Sequence, residues 1–524
     1  MNQSTTLART IVRQIVEAGV TDVVISPGSR NAPLTMAFYA ASEHKLITLH
    51  TRIDERTAAF FALGMAKATG RPVPIICTSG TAVANYHPAV LEASHSNVPL
   101  LVITADRPAE LRRTGANQTT EQARIFGKAV RYFADVSGPA YPMELPFNSL
   151  QSGPVHINVQ FPEPLSADDD SDWLAGISIK PPREFTRKLA GTFYTKSTRG
   201  ILVIGHDRGG LAVNEVAAFA EELAWPIISE DPLSFPNALS HASIFLTSQV
   251  ITDELAPDTV VVIGRTTLSR SINRLIATAR KSIVIDPRIM TVDTDRVADQ
   301  KFAAIPKVEV PLADNEYAQR WQKYSERTAK KIGEMSRWSE AQVAREIGRA
   351  LPSGQTLFIS SSRPIRDIEG FASARGGVET FANRGLAGID GNISTALGIA
   401  SARKETVAVL GDLSFLHDIT GLIHDEAINL KIVVVNNNGG GIFSTLPHRG
   451  VSGFEAIFGT PHNLDLAKIA AAFGLATSVV NNAADLVAEL SKPVNGLSLV
   501  VVNVPDRESN ADHLKAIYES VSSI

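Results

Sequence analysis

Short runs of apolar, mostly β-branched residues recur along the chain and alternate with longer stretches of helical pattern. The runs read DVVISP (22–27), PIICTSG (74–80), PLLVITAD (99–106), PVHINVQ (154–160), GILVIG (200–205), DTVVVIG (258–264), SIVIDP (282–287), TLFISS (356–361), TVAVLGD (406–412) and KIVVVNNN (431–438). Strands that are apolar throughout must be covered on both faces, as parallel strands between helices are. The alternation therefore predicts an α/β fold of doubly wound, mostly parallel sheets.

The bulk composition excludes several classes of protein. Hydrophobic residues make up 44% and charged residues 20% of the chain, which is typical of a folded globular protein. The formal net charge is −4 and no basic block occurs, so we expect no nucleic-acid partner. Cys77 has no second cysteine to pair with, which fits a reducing cytosol. No membrane span or signal peptide is apparent, so we expect a cytoplasmic protein.

Changes in composition along the chain predict three domains. The acidic SADDDSDW (166–173) and the polar IKPPREFTRK (179–188) indicate a linker near 165–190. The charged stretch YAQRWQKYSERTAKKIGEMSRW (317–338) is expected to be a helix that leads into the last domain near residue 335. We therefore predict domains over residues 1–185, 186–335 and 336–524.

The first and last predicted domains share a pattern at one constant offset. VISPGSR aligns with FISSSRP, so that Ile25 matches Ile359, and LGMAKATGRPVPIICTSG aligns with LGIASARKETVAVLGDLS, so that Gly64 matches Gly398. Both matches lie 334 residues apart (359 − 25 and 398 − 64). General resemblance among α/β strands is the alternative explanation. Two copies of one unit would suit a ligand held between paired domains.

Polar residues follow two of the predicted strands in the last domain. Asp412 ends one strand, and Asn437 ends the next, 25 residues later. A carboxylate, an amide oxygen and a nearby glycine carbonyl form the hard oxygen set that suits Mg²⁺. The NNNGGG run (436–441) would let a phosphate approach the backbone closely. No P-loop or dinucleotide fingerprint occurs. The alternative is that Asp412 caps a helix and the asparagines form a turn.

This spacing of GD and NN resembles the Mg²⁺–diphosphate motif of thiamine-diphosphate enzymes. The resemblance implies two homologous domains of the thiamine-diphosphate-binding fold, a pyrimidine-binding one at 1–185 and a diphosphate-binding one at 336–524. It implies thiamine diphosphate and Mg²⁺ (or Mn²⁺) as cofactors, with Asp412, Asn437 and Gly439 as metal ligands. Leu413 stands where that family usually has glycine.

The family also needs a glutamate in the pyrimidine domain, and Glu55 in DERTAAFFALGMAKATGRP (54–72) would supply it. Against the pyrimidine N1′ its carboxyl group would favour the imino tautomer, and burial should raise its pKa for that task. The alternative is that Glu55 only stabilises a helix N-terminus.

Five segments narrow the resemblance to one subfamily. They are ISPGSRNAPLT (25–35), TSGTAVAN (78–85), TADRPAELRRTGANQTT (104–120), NRGLAGIDGNISTALG (383–398) and GDLSF (411–415). Together they resemble the 2-succinyl-5-enolpyruvyl-6-hydroxy-3-cyclohexene-1-carboxylate synthases of menaquinone biosynthesis, in which GDLS is the usual variant. The resemblance implies a transferase that decarboxylates 2-oxoglutarate and adds the succinyl carbanion equivalent to isochorismate. It also implies a homo-oligomer, a dimer or a dimer of dimers.

The resemblance assigns residues to each role. The predicted cofactor-binding residues are Glu55, Ser79, Gly80, Ile389, Gly411, Asp412, Leu413, Ser414, Asn437, Gly439, Gly440, Ile442 and Phe443. The predicted substrate-binding residues are Ser29, Arg30, Arg107, Asn117, Gln118, Arg270, Ser362, Arg366 and Arg384. The arginines fit the chemistry, since both substrates carry two carboxylates and arginine binds carboxylates bidentately. For any one arginine, a solvated surface ion pair is the alternative.

Two other functions stay open at this point. Another thiamine-diphosphate decarboxylase or carboligase, such as a relative of acetolactate synthase or oxalyl-CoA decarboxylase, would share the motifs. Members of that group often bind FAD or ADP in the middle domain, for which this chain offers no clear fingerprint. A non-catalytic binding protein of the same fold is the second alternative, and the presence of Glu55, Asp412 and Asn437 argues against it.

Overall fold

A computed structural model describes residues 2–138, 144–166, 171–181, 191–288, 293, 297–311 and 313–523. The chain divides into two compact units. The first comprises Met1–Thr186, Asp390–Arg403 and Asp418–Ile428, and the second comprises Arg187–Ile389, Lys404–His417 and Asn429–Ile524. The predicted boundary after residue 185 lies outside the described residues, as does part of the predicted linker. Within the described ranges, no helix is both long and apolar enough to cross a bilayer.

The elements are numbered in chain order. The strands are β1 Asp22–Ile25, β2 Thr48–Thr51, β3 Val73–Cys77, β4 Leu100–Asp106, β5 Phe133–Ser137, β6 Val155–Gln160, β7 Thr192–Tyr194, β8 Gly200–Ile204, β9 Ile227–Ser229, β10 Thr259–Ile263, β11 Lys281–Ile285, β12 Gln300–Phe302, β13 Lys307–Glu309, β14 Thr356–Ile359, β15 Glu379–Phe381, β16 Thr406–Gly411, β17 Leu430–Asn436, β18 Ala476–Val480 and β19 Leu497–Asn503. The helices are α1 Gln3–Glu17, α2 Ala32–Glu43, α3 Glu55–Thr69, α4 Thr81–Asn85, α5 His87–Ser96, α6 Val213–Leu223, α7 Ala242–Phe245, α8 Gln249–Glu254, α9 Arg270–Thr278, α10 Asn315–Gly333, α11 Glu340–Ala350, α12 Arg363–Phe371, α13 Asn392–Ala402, α14 Asp412–His417, α15 Leu466–Ala472, α16 Ala483–Ser491 and α17 Arg507–Ser522.

Three larger sheets, parallel in every described strand pairing, confirm the predicted α/β class. The first unit contains a six-stranded sheet of order β2-β1-β3-β4-β6-β5. The second unit contains a five-stranded sheet of order β12-β11-β10-β8-β9 and a six-stranded sheet of order β15-β14-β16-β17-β19-β18. A short pair, β13-β7, accompanies the central sheet.

The two six-stranded sheets have the same strand order when each is numbered from its own first strand. Strand β14 (356–359) also begins and ends 334 residues after β1 (22–25), the offset seen in the sequence. The identical topology confirms that the first and last copies share one fold. It removes the alternative that the matching segments were merely similar strands.

The buried strands explain the continuous apolar runs. Every residue of β3, β4 and β6 is buried, and β16 and β17 are buried except at their last residues. Parallel strands of this kind are covered on both faces, so the side chains on either face are mostly apolar. Polar residues therefore appear where these strands end, and the ends all point to the same edge of each sheet.

Helix α13 lies in the first unit, where it packs against α3 at two glycines. A Cβ atom on Gly64 would lie 2.1 Å from the Thr395 carbonyl oxygen, and one on Gly398 would lie 2.0 Å from the Phe61 carbonyl oxygen. Thr395 and Phe61 are themselves 334 residues apart, so the two contacts are equivalent in the repeat. Glycine at both positions lets the two helix backbones touch, which fixes α3 and with it Glu55 at its start.

We expect Gly64→Ala and Gly398→Ala each to destabilise the protein by about 1–3 kcal/mol or more, because the added methyl meets backbone atoms that cannot rotate away. The free energy of unfolding in urea measures the effect. Gly333→Ala, at the end of α10, is the matched control: no atom lies within 4 Å of its added Cβ. Alanine there should be neutral or slightly stabilising. Equal effects at positions 64 and 333 would contradict the close helix contact.

Candidate active site

The carboxyl ends of β14, β16 and β17 open onto a cavity in the second unit. Its empty volume, counted out to the open mouth, is about 800 Å³. All the predicted cofactor-binding residues that belong to this unit line it, namely Ile389, Gly411, Asp412, Leu413, Ser414, Asn437, Gly439, Gly440, Ile442 and Phe443. Ser362 lines it as well and adopts a left-handed backbone with φ 76°, which is uncommon for serine.

Asp412 lies at the junction of β16 and α14 and is 2% exposed. Its Oδ1 accepts a hydrogen bond from the Leu413 amide at 2.7 Å, and its Oδ2 accepts one from the Gly439 amide at 2.9 Å. The Nε2 atom of His462 lies 3.3 Å from Oδ2. Asp412 therefore lies at a helix start, which was the alternative raised from the sequence, and it also lines the cavity.

Asn437 directs its amide group at two different partners. Its Oδ1 accepts from the Gly439 amide at 3.1 Å, and its Nδ2 donates to Glu340 Oε1 at 2.5 Å. Because Asp412 and Asn437 share the Gly439 amide, one carboxylate oxygen and one amide oxygen converge on one point. This donor set fits a hard divalent cation completed by a backbone carbonyl and outside oxygens. Clusters of three or more His, Cys, Asp or Glu suited to a metal are absent from the described residues.

The three glycines after Asn438 have no room for side chains. A Cβ on Gly439, whose φ is 138°, would lie 2.2 Å from the Gly459 carbonyl oxygen. A Cβ on Gly440 would lie 2.3 Å from the Phe458 carbonyl oxygen, and one on Gly441 would lie 2.3 Å from Asn437 Nδ2. The glycine run is thus needed to bring the backbone against both the Asn437 amide and a neighbouring segment.

That neighbouring segment (455–463) was not predicted from the sequence. The Gly440 amide donates to the Gly459 carbonyl at 2.8 Å, and the Asn463 amide donates to Asn438 Oδ1 at 2.8 Å. Arg507 donates to the Asn438 carbonyl and pairs with Glu455. No local motif marks these residues, since each contact joins positions far apart in the chain.

A group of charged residues that line the cavity was also not predicted from the sequence. Arg363 pairs with Asp367, and its Nε lies 3.6 Å from Glu340 Oε2. Burial raises the pKa of Asp367 to about 7, with Arg363 opposing the increase and the charge of Glu340 adding to it. The SSRPIRD segment contains two of these residues, but the family resemblance pointed to Arg366 in it and not to Arg363.

Arg366 and Arg384 are held by hydrogen bonds in the second unit. Arg366 Nη1 donates to the Ser362 carbonyl at 2.7 Å, and the pKa of Arg366 is lowered by burial and by Arg363. Arg384 is 3% exposed, so it is not a solvated surface charge. Its Nη2 donates to Thr267 Oγ1 at 2.9 Å, and its Nη1 lies 3.3 Å from Ser361 Oγ. Arg270 is the exposed first residue of α9 and is not among the residues that line the cavity.

In the first unit, several predicted residues meet where β3 and β4 end. Arg107 Nη1 donates to the Gln118 carbonyl at 2.7 Å and also to Ser79 Oγ, while Gln118 Nε2 donates to the Ser79 carbonyl at 2.9 Å. Gly80 follows with φ 86°. Burial and the nearby charge of Arg30 lower the pKa of Arg107.

The other predicted residues of the first unit are more scattered. Arg30 donates to the Phe161 carbonyl at 2.9 Å and pairs with Glu163 at 3.2 Å. Ser29 and Asn117 are exposed. Glu55 is half-buried in the first turn of α3, capped by Asp54. Burial raises the pKa of the Cys77 thiol, and the charge of Glu55 adds to that increase.

Comparisons with known proteins agree with this geometry. The model of the N-terminal TPP-binding domain of thiamine pyrophosphate enzymes matches residues 5–125, that of their middle domain matches 169–359, and that of their C-terminal TPP-binding domain matches 370–504. The chain is 37% identical to the 2-succinyl-5-enolpyruvyl-6-hydroxy-3-cyclohexene-1-carboxylate synthase of Thermobifida fusca over 100% of both chains. It is 38% identical to the synthase of the same name from a Nocardioides species, and 37% identical to that from Saccharopolyspora erythraea, over 98% of each chain.

The glycine run yields a prediction about stability. Gly439→Ala should destabilise the protein by about 1–3 kcal/mol more than Gly474→Ala, because both residues have positive φ but only the former adds a clash, with the Gly459 carbonyl. Gly474 is the control, since no atom lies within 4 Å of its added Cβ. Urea unfolding without added ligand measures both variants. Similar losses would show that the contact between the glycine run and segment 455–463 does not restrain position 439.

Proposed function

Because the chain belongs to the 2-succinyl-5-enolpyruvyl-6-hydroxy-3-cyclohexene-1-carboxylate synthases, thiamine-diphosphate-dependent transferases of menaquinone biosynthesis, we propose that it uses 2-oxoglutarate and isochorismate as its substrates. In this reaction 2-oxoglutarate loses CO₂, and the remaining succinyl carbanion equivalent adds in conjugate fashion to isochorismate. The observation that carries the proposal is the convergence of Asp412 and Asn437 on the Gly439 amide, inside a cavity lined by the family's motif residues. The test is isochorismate consumption with thiamine diphosphate, Mg²⁺ and 2-oxoglutarate.

Bound thiamine diphosphate would supply a carbanion equivalent stabilised next to its thiazolium ring. Asp412 Oδ2, Asn437 Oδ1 and the Gly439 carbonyl are the groups that would hold Mg²⁺ or Mn²⁺ against the diphosphate. Apolar side chains of the same cavity, Ile389 and Ile442 among them, would exclude water from the reacting atoms. Ser414 Oγ donates to the Ile389 carbonyl at 3.0 Å, which ties this apolar wall to the motif that carries Asp412.

Glu55 is the residue we assign to proton transfer with the pyrimidine ring. Its position at the start of a helix fixed by glycine contacts suits a group that must hold one orientation. Glu55 belongs to the first unit and Asp412 to the second. We assign the protein an assembly of at least two chains, in which Glu55 of one protomer serves the cavity of the other, as the family resemblance implies.

The arginines are the groups we assign to the substrate carboxylates. Burial and the charge of Arg30 lower the pKa of Arg107, and an incoming carboxylate would relieve the repulsion between these two cations. Arg366 and Arg384 are partly or wholly buried, so a carboxylate bound by them would be shielded from water. Ser29, Asn117, Gln118 and Ser362 would add neutral hydrogen bonds, whereas Arg270 is exposed and does not line the cavity.

Full-length similarity to synthases of one name favours this function over the two alternatives. A carboligase of the acetolactate-synthase type would turn over pyruvate and leave 2-oxoglutarate unused. A non-catalytic binding protein would bind thiamine diphosphate and consume neither acid.

The metal and proton-transfer roles predict different defects. Asp412→Ala should weaken Mg²⁺-dependent binding of thiamine diphosphate, because the diphosphate charge loses part of its compensation. Glu55→Gln should leave that binding within a few-fold of wild type while it suppresses exchange of the thiazolium C2 proton. Calorimetry measures binding, and deuterium exchange followed by NMR measures C2 deprotonation. If both variants lost only affinity, the role assigned to Glu55 would be wrong.

The arginines predict a defect in substrate use with normal cofactor binding. Each of Arg366→Ala and Arg384→Ala should lose about 1.5–3 kcal/mol of transition-state stabilisation, mainly as a raised KM, because a carboxylate contact made throughout the reaction is uniform binding. Lysine at either position should rescue only partly, since it lacks the bidentate fork. The measurement is kcat/KM for each substrate separately.

Arg280→Ala, whose side chain is 87% exposed in the wild type, is the control expected to behave like wild type. Wild-type kcat/KM for both substrates in Arg366→Ala and Arg384→Ala would show that these arginines do not bind the substrate carboxylates.

A further inference from the structure

Glu340 is a buried acidic residue at the edge of the cavity with no assigned role. It is the first residue of α11, it is 8% exposed, and it lines the cavity beside Asn437. It lies 97 residues before Asn437 in the chain, outside every motif discussed above. Burying a carboxylate costs free energy because its hydration is lost. The burial of Glu340 next to a proposed metal ligand therefore needs an explanation.

The contact with Glu340 decides which way the Asn437 amide faces. A carboxylate only accepts hydrogen bonds, so the group 2.5 Å from Glu340 Oε1 must be the NH₂ of Asn437. The amide oxygen then faces the opposite way, toward the Gly439 amide at 3.1 Å and the side of Asp412. Asn437 thus meets an acceptor, Glu340, on one side and a donor, the Gly439 amide, on the other. Only one orientation of the Asn437 amide group satisfies both contacts.

Glu340 is itself held in place. Its backbone amide donates to Asn510 Oδ1 at 3.0 Å, and Ser339 caps α11 directly before it. Its second carboxylate oxygen lies 3.6 Å from Arg363 Nε, and Arg363 is in turn paired with Asp367. The carboxylate is therefore supported by a helix start and a buried cation.

We propose that Glu340 is a positioning residue for the metal site: by accepting from Asn437 Nδ2 it turns the Asn437 oxygen toward the cation that binds at Asp412. The inference rests on the proposed function, because it concerns the metal that function requires. It also gives a reason for asparagine at position 437. An aspartate there would bring two carboxylates together, and their repulsion would turn the new side chain away from the site.

The test exchanges the two functional groups, so that an amide replaces the carboxylate at position 340 and a carboxylate replaces the amide at position 437. Glu340→Ala should lower the affinity for Mn²⁺ by about 10- to 100-fold, the usual effect of losing an outer partner of a ligand. Glu340→Gln should lower it less, since glutamine offers both an acceptor and a donor. In an Asn437→Asp background, Glu340→Gln should instead raise the affinity, because the NH₂ introduced at position 340 would then donate to the carboxylate introduced at position 437. The same substitution thus has opposite signs in the two backgrounds.

Mn²⁺ binding is followed by electron paramagnetic resonance of the full chain with thiamine diphosphate and without substrates. Glu346→Gln is the matched control, because Glu346 is a buried acid of the same helix that pairs with Arg345 and Arg349 instead. Urea unfolding without metal separates a loss of stability from a loss of Mn²⁺ affinity. A Glu340→Gln effect of the same sign in both backgrounds, or no effect in either, would overturn the positioning role. Failure of the wild type to bind Mn²⁺ with thiamine diphosphate would instead overturn the proposed function.

Discussion

The backbone amide of Gly439 is the group around which the cavity is organised. It donates to both Asp412 Oδ2 and Asn437 Oδ1, and so draws two strand ends together. Two electron-rich oxygens repel each other, and a single shared N–H compensates that repulsion only in part. The divalent cation that we propose for this site would compensate it better, because it carries two positive charges. The rest of the local structure, from the glycine run to segment 455–463, keeps that amide in place.

The repeat shows how one fold came to carry two different sites. At the offset of 334 residues, the position of Asp412 in the second copy corresponds to Thr78 in the first. Thr78 Oγ1 accepts a hydrogen bond from the Arg30 amide at 3.3 Å, and the next residue, Ser79, accepts one from Arg107, which follows β4. A hydroxyl does not hold Mg²⁺ as a carboxylate does. The first copy thus has cationic and neutral hydrogen-bond donors at the strand ends where the second has oxygen acceptors.

The fold class and the motif part of the site could be predicted from the sequence, because both depend on local features. Buried parallel strands have a recognisable composition, and their carboxyl ends meet at one edge, so residues that follow them, such as Asp412 and Asn437, are brought together by topology alone. Glu340, Arg363 and His462 could not be found in this way. Their contacts depend on how helices and loops pack over the sheet, and a buried acid in a helical pattern looks like an ordinary capping residue. The burial of Arg384 could not be predicted either, because Thr267, which accepts a hydrogen bond from its guanidinium, lies 117 residues earlier in the chain.

That last contact links the segment after β10 to an arginine that we propose binds substrate. Thr267 follows β10, and its backbone amide donates to the buried Glu230 at 2.9 Å while its hydroxyl accepts from Arg384. Arg265, two residues earlier, donates to the carbonyls of Arg384 and Gly385, each at 2.7 Å. The loop that carries Arg384 is therefore held at both its backbone and its guanidinium by the segment that follows β10. An arginine that is already ordered loses little side-chain entropy when it binds a carboxylate. The middle of the chain, which carries no nucleotide fingerprint, thus contributes by ordering a group that the proposed substrates need.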